Sequence, residues 1–190
     1  MSRILVTLAS LSLILLLTAL VLGLAIGDLY ARQPSEETLN WATVHRLAGI
    51  AAALTVVFVE SVVVTYFIGT SRWCKEVVET YGLNRAAVES SNRLKRRTFP
   101  WALAGMLAVI GIIALGGAAD PATGRPNTQV WAQWHLVGAI AGVLVIAWTY
   151  VVAWNNVVAN HAIIEQIVAA VDRIRRERDW NKSDPAKPNR

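Results

Sequence analysis

Four long stretches of the chain are almost free of charge, and that feature decides what it can fold into. Residues 4–27, 98–119 and 126–164 hold no Asp, Glu, Lys or Arg, and residues 47–71 hold only Glu60. About 20 apolar residues in a helix cross a bilayer. In lipid every backbone N–H and C=O must be satisfied within the protein, which leaves helices for segments of this length. The expected fold is therefore all-α, a polytopic membrane four-helix bundle over residues 1–160. Its spans are expected near 4–27, 44–70, 99–119 and 128–155, with the lipid bilayer as their surroundings. A chain with 55% hydrophobic and 16% charged residues is neither disordered nor an ordinary soluble domain.

The basic residues set an orientation. Of 18 Lys and Arg, seven fall between residues 72 and 97, seven follow His161, and Arg3 precedes the first span. Arg32, Arg46 and Arg125 alone occupy the two remaining loops. The positive-inside rule then places both termini and the long middle loop in the cytoplasm, N-in and C-in. The expected location is a bacterial-type cytoplasmic (inner) membrane, crossed several times. This topology accounts for the net charge of +5, and no zinc-ligand spacing or basic helix with interleaved aromatics points to nucleic acid. The first apolar run is longer than the roughly 7–15 residues of a signal-peptide core, so it is read as a retained span. The lone Cys74 excludes an internal disulfide and reads as a free interfacial thiol.

Punctuation along the chain fills in the layout. Residues 28–40 form a polar outer loop, and the second helix starts near Trp41 and runs to about Tyr81. Gly82 is a C-cap and Asn84 an N-cap for the turn that follows. Pro100 kinks the third helix or starts a fresh turn. Gly124, Arg125 and Pro126 mark a short outer turn. Helices two to four extend into the cytoplasm over residues 71–98 and 156–180, with a disordered tail at 181–190. Val157, His161, Ile164, Val168, Val171 and Arg175 recur at the 4,3 spacing of a coiled-coil seam. Trp41, Trp131 and Trp134 lie at the outer interface and Trp73 and Trp101 at the inner one, as aromatic belts require.

Two histidines stand out against this background. His45 and His135 each enter a helix at its outer end, four residues after a Trp, on helices that run in the same direction. An offset of 90 residues superposes Trp41 on Trp131, His45 on His135, Ile50 on Ile140 and Leu54 on Leu144, which points to a duplicated two-helix hairpin. Ala48, Gly49 and Ala52 lie below His45, and Gly138, Ala139 and Gly142 below His135. Small residues beneath opposed imidazoles would leave a slot for a porphyrin, with iron held by one neutral nitrogen from each side. Arg46 and Trp134 would meet the porphyrin at its rim. The same small residues also serve close helix packing with no ligand at all.

Glu60 is the remaining charge within the spans. It lies 15 residues after His45, about 22 Å further along the helix. An intramembrane carboxylate faces the protein interior and finds a partner there. The 90-residue offset pairs Glu60 with Tyr150, as a buried polar pair holding helices two and four in register; a proton relay or quinone contact is the functional alternative. No phosphate loop, nucleophile elbow or metalloprotease motif is present.

His45-Arg46-Leu47 opening helix two, with a second histidine opening helix four, resembles the four-helix half-unit of haem A synthase and the bis-histidine b-type membrane cytochromes. A synthase has two such halves where this chain has one, and carries a Glu where this chain has Ala42. The resemblance therefore implies a half-unit that binds haem b through His45 and His135 and transfers electrons. Its partners would be a quinone or a periplasmic electron carrier, or a second copy of the chain. From a different class comes the reading of a cofactor-free accessory or scaffold subunit of a membrane complex, docking a partner through its cytoplasmic helices and basic tail.

Overall fold

The computed structural model describes the backbone of residues 1–183 and the side chains of residues 1–180. Its elements are α1 (Ser2–Ala25), α2 (Glu36–Tyr81), α3 (Ala86–Ala119), a 3-10 turn (Pro121–Thr123) and α4 (Thr128–Ser183). All four α-helices are long and apolar enough to cross a membrane, so the chain is an all-helical, multi-pass membrane protein. α2 and α4, of 46 and 56 residues, far exceed the length a bilayer needs. Of the tail expected at 181–190, residues 181–183 continue α4; the rest lies outside the described residues.

Local chemistry explains the boundaries. α2 begins five residues before the expected Trp41, because Ser35 caps it: the Ser35 hydroxyl oxygen accepts from the Thr38 N–H at 3.1 Å. Glu36 and Glu37 then sit in its first turn, where the helix dipole favours negative charge. α2 ends at Gly82 in the left-handed conformation, φ +64°. The N–H groups of Gly82 and Leu83 both return to the Val78 carbonyl. Asn84 acts one residue earlier than a cap proper, its side-chain oxygen accepting from the Ala86 N–H at 2.8 Å. α3 runs unbroken through Pro100, so no fresh helix starts there.

α1 packs on α2, α2 on α3 and α3 on α4, while α1 also reaches α4 and α2 makes a smaller contact with α4. The core between them is built from Leu5, Leu16, Ala52, Ala53, Val56, Val59, Val63, Phe67, Val109 and Ile146. Large apolar side chains elsewhere, such as Leu54, Ile110 and Leu144, face outward, as lipid-facing residues must. A second cluster ties the α2 and α4 extensions together through Cys74, Val78, Ile167 and Val171. The seam on α4 follows the expected one at Val157, Ile164 and Val171 and departs from it at two positions. Asn160 and Ile167 are buried where His161 and Val168 were expected, and His161 and Val168 are exposed. The reason is polar: Asn160 makes three side-chain hydrogen bonds inward, which a purely apolar pattern does not reveal.

Candidate functional site: two imidazoles seated on glycines

At the end of the molecule that carries the 26–35 and 120–127 connections, His45 of α2 and His135 of α4 face each other. Their ring centroids are 6.1 Å apart, with the planes at 74°. Each ring is seated by a glycine of the preceding helix. A Cβ on Gly23 of α1 would fall 2.9 Å from His45 Cε1, and one on Gly116 of α3 would fall 3.1 Å from His135 Cε1. Only a residue without a side chain lets the imidazole lie this close to the neighbouring backbone.

The ring orientation is also fixed. His45 Nδ1 is 2.9 Å from the Ala19 carbonyl oxygen. A carbonyl can only accept, so Nδ1 carries the proton and Nε2 keeps its lone pair. A backbone carbonyl on Nδ1 is the arrangement that orients metal-binding histidines. Ala19 lies one turn before Gly23. In the other hairpin the residue one turn before Gly116 is Ile112, whose backbone acts electrostatically on His135. The His135 Nδ1 is buried and makes no hydrogen bond. The two hairpins thus share a histidine and a glycine seat, while the carbonyl contact is made by His45 alone.

Above the rings these two connections are fastened together. Arg46 donates to Asp120 at 2.9 Å and to Thr43 at 3.3 Å. Asp120 also caps the 3-10 turn by accepting from the Ala122 N–H at 2.9 Å. The Tyr30 hydroxyl donates to the Ala119 carbonyl at 2.7 Å. Partial burial and the nearby Asp120 carboxylate both push the Tyr30 phenol above its ordinary value, so the phenol remains the donor across neutral pH. Arg46, expected at a porphyrin rim, is committed to Asp120.

The remaining expected site residues are placed unequally. Ala52 and Ala139 are buried and Ala48 is half-buried. Gly49 has nothing within 4 Å of where a Cβ would stand. Gly138 and Gly142 do not face α2: they receive Leu115 and Ile112 of α3. They belong to the α3–α4 contact, because that is where large side chains need small partners. Trp134 is 61% exposed and lies on the surface. The pairing of Glu60 with Tyr150 is corrected as well. Thr149 donates to Glu60 Oε1 at 2.5 Å, whereas the Tyr150 hydroxyl bonds Ser12 of α1 at 2.8 Å. One residue of rotation on α4 separates the two.

Gly23, Gly116 and Ala19 were not among the expected site residues. The signal for them was present, since an offset of 93 residues superposes Gly23 on Gly116. No protein-family model, curated protein or solved structure matches the chain.

The donor set limits what could bind. Among the described residues no group of three or more His, Cys, Asp or Glu could hold a metal ion. Two imidazoles alone suit a metal that brings its own equatorial ligands, as a porphyrin iron does. Imidazole nitrogens about 2 Å from a shared metal put the ring centroids roughly 6 Å apart, as here. The 6.1 Å spacing and the fixed tautomer of His45 are compatible with a haem held by the two rings, whereas Gly138 and Gly142, expected to open a slot for it, are filled by Leu115 and Ile112.

Proposed function

We propose that the protein is a b-type haem-binding membrane protein, in which His45 and His135 near the outer face would hold the haem iron, and that it serves electron transfer. The observation that carries the reading is the 6.1 Å separation of two imidazoles, each seated on a glycine of its own hairpin. Haem iron would supply one-electron chemistry there. His45 presents Nε2 because Ala19 holds Nδ1. Gly23 and Gly116 allow both rings to stay close against the preceding helix. The Arg46–Asp120 pair and Tyr30 join the loops above the rings and restrict water. The redox partner would be a quinone within the bilayer or a soluble carrier at that face.

Absorption spectra of protein purified after expression with haem in excess test the reading. A Soret band is expected, reduced at least severalfold in His45→Ala and in His135→Ala. No band, or one unchanged in both variants, rejects it.

One observation favours the accessory-subunit reading. Trp73, Val77, Tyr81, Val168, Val171, Asp172 and Arg175 line a groove between the α2 and α4 extensions, and Val168 is 43% exposed. Loss of complex recovery in Val168→Ser, with both histidine variants normal, would support that reading over haem binding.

A further inference from the structure

The site at the histidines leaves one group unexplained. Glu60 is fully buried in the apolar part of α2. Its Oε1 accepts from Thr149, but Oε2 meets no hydrogen-bonding atom of the protein. No cation offsets it: Glu60 takes part in no ion pair among the described residues. The groups facing it are Thr149 and Tyr150 from α4 and, from α3, Gly105, whose Cβ would fall 2.5 Å from Oε1. Tyr150 in turn bonds Ser12 of α1. None of these is charged. A carboxyl serving only to hold helices in register would have both oxygens satisfied, since a bare buried oxygen weakens the contact it is meant to make.

The longer run of buried polar side chains near Glu60 lies on one side. Towards the basic helical extensions, Asn156 donates to Thr98 Oγ1 at 2.9 Å. One turn further, Asn160 donates to the Tyr66 hydroxyl at 3.2 Å and to Thr70 Oγ1 at 3.1 Å, and accepts from the Ser91 hydroxyl at 2.8 Å. Ser71 lies beside Ser91 at 3.4 Å. Asn156 is about 10 Å along α4 from Thr149, and Asn160 about 6 Å beyond it. Towards the histidines the buried Ser12 and Tyr150 hydroxyls bond each other, and the other buried residues there, Ala52, Ala53, Val56, Val109 and Ile146, are apolar.

We propose that Glu60 is a proton-exchange site, loaded and unloaded through this polar ladder from the end that carries the basic extensions. A proton from water at that end adds to a Glu60 carboxylate oxygen, giving the neutral acid. On release it returns to water by the same route. The hydroxyls of Thr98, Ser91 and Tyr66 accept and donate along the path, and the Asn156 and Asn160 amides hold bridging water. The apolar residues beyond the Ser12–Tyr150 pair stop the proton from crossing to the other face. The assignment stands independently of haem binding.

Infrared difference spectroscopy on the full chain in lipid nanodiscs tests it. The carboxylic acid C=O band lost in Glu60→Gln identifies the group, and a switch from H2O to D2O reads its exchange. The band is expected to shift promptly in the wild-type chain and at least tenfold more slowly in Asn160→Leu. Should Asn160→Leu fail to run monodisperse with wild-type helix content, the milder Thr98→Val carries the same expectation. A Glu60 band that never exchanges, one that exchanges equally fast in the ladder variants, or no band assignable to Glu60 overturns the proposal.

Discussion

Two glycines decide whether the imidazoles can meet. Val at position 23 would drive its branched side chain into the His45 ring, which lies within contact of any Cβ there. Either the ring leaves its Ala19 hydrogen bond or the helices part, and overpacking of this kind costs about 1–3 kcal/mol. Gly23→Val is therefore expected to lower haem retention as much as His45→Ala does, with helix content unchanged by circular dichroism. Gly49→Ala is the control, because nothing lies within 4 Å of its Cβ position, and it should load haem normally. Equal loading in Gly23→Val would remove the cradle from the argument. Cys74 makes a separate residue-scale prediction. It is fully buried between the extensions, and burial raises its thiol pKa, opposed by a hydrogen bond to Ser91. A raised acid pKa favours the neutral thiol, whereas the thiolate is the species that reacts. Maleimide labelling of the folded protein should thus be slow at neutral pH. It should accelerate only above the ordinary thiol range of about 8.5, or at once when the chain is unfolded in detergent.

At the scale of elements, caps and polar anchors matter more than the apolar pattern. The α2–α3 turn depends on Gly82, whose φ of +64° lies where L side chains are strained. Gly82→Ala should destabilise the extensions by about 1 kcal/mol. It should lower the melting temperature of the full chain in detergent, while Asn84→Ala removes one exposed turn hydrogen bond and does less. A melt unchanged in Gly82→Ala would mean that the extensions contribute nothing to thermal stability. The four apolar helices, the Gly82 end of α2 and the histidine pair were legible because charge-free length, a turn glycine and a Trp-x3-His repeat are local signals. The start of α2 was legible in principle from Ser35-Glu36-Glu37, a cap followed by an acidic first turn, but the Trp belt drew the boundary inward. The register of the α4 seam was legible only in part. Asn160 is buried only because Ser91, Tyr66 and Thr70 converge on it, and three partners from two other helices leave no trace in the periodicity of one.

For the molecule as a whole, the two hairpins repeat one construction: Gly23 and His45 in the first, Gly116 and His135 in the second. The orders of the helices correspond, and so do the turns of Ala19 and Ile112 before each seat. What breaks the correspondence is Glu60, whose counterpart at the same offset, Tyr150, bonds Ser12 instead. The repeat therefore accounts for the histidine end and not for the polar ladder, which belongs to the second half of the spans and to the extensions. Orientation follows from charge. Among the described residues 13 basic residues sit at the end opposite the histidines and three at the histidine end, so the positive-inside rule predicts that the former end is cytoplasmic. Single cysteines placed in a Cys74→Ser background can measure it, with an impermeant maleimide applied to intact cells. Cysteines at Arg125 and Gln33, in the 120–127 and 26–35 connections, should label in whole cells. Cysteines at Arg85 and Arg173 should label only after lysis. The opposite pattern would put the imidazoles on the cytoplasmic face, and an electron carrier outside the membrane would then be the wrong partner. Mixed labelling at Gln33 and Arg125 would deny that the two hairpins share one orientation, and the facing of His45 and His135 requires that they do.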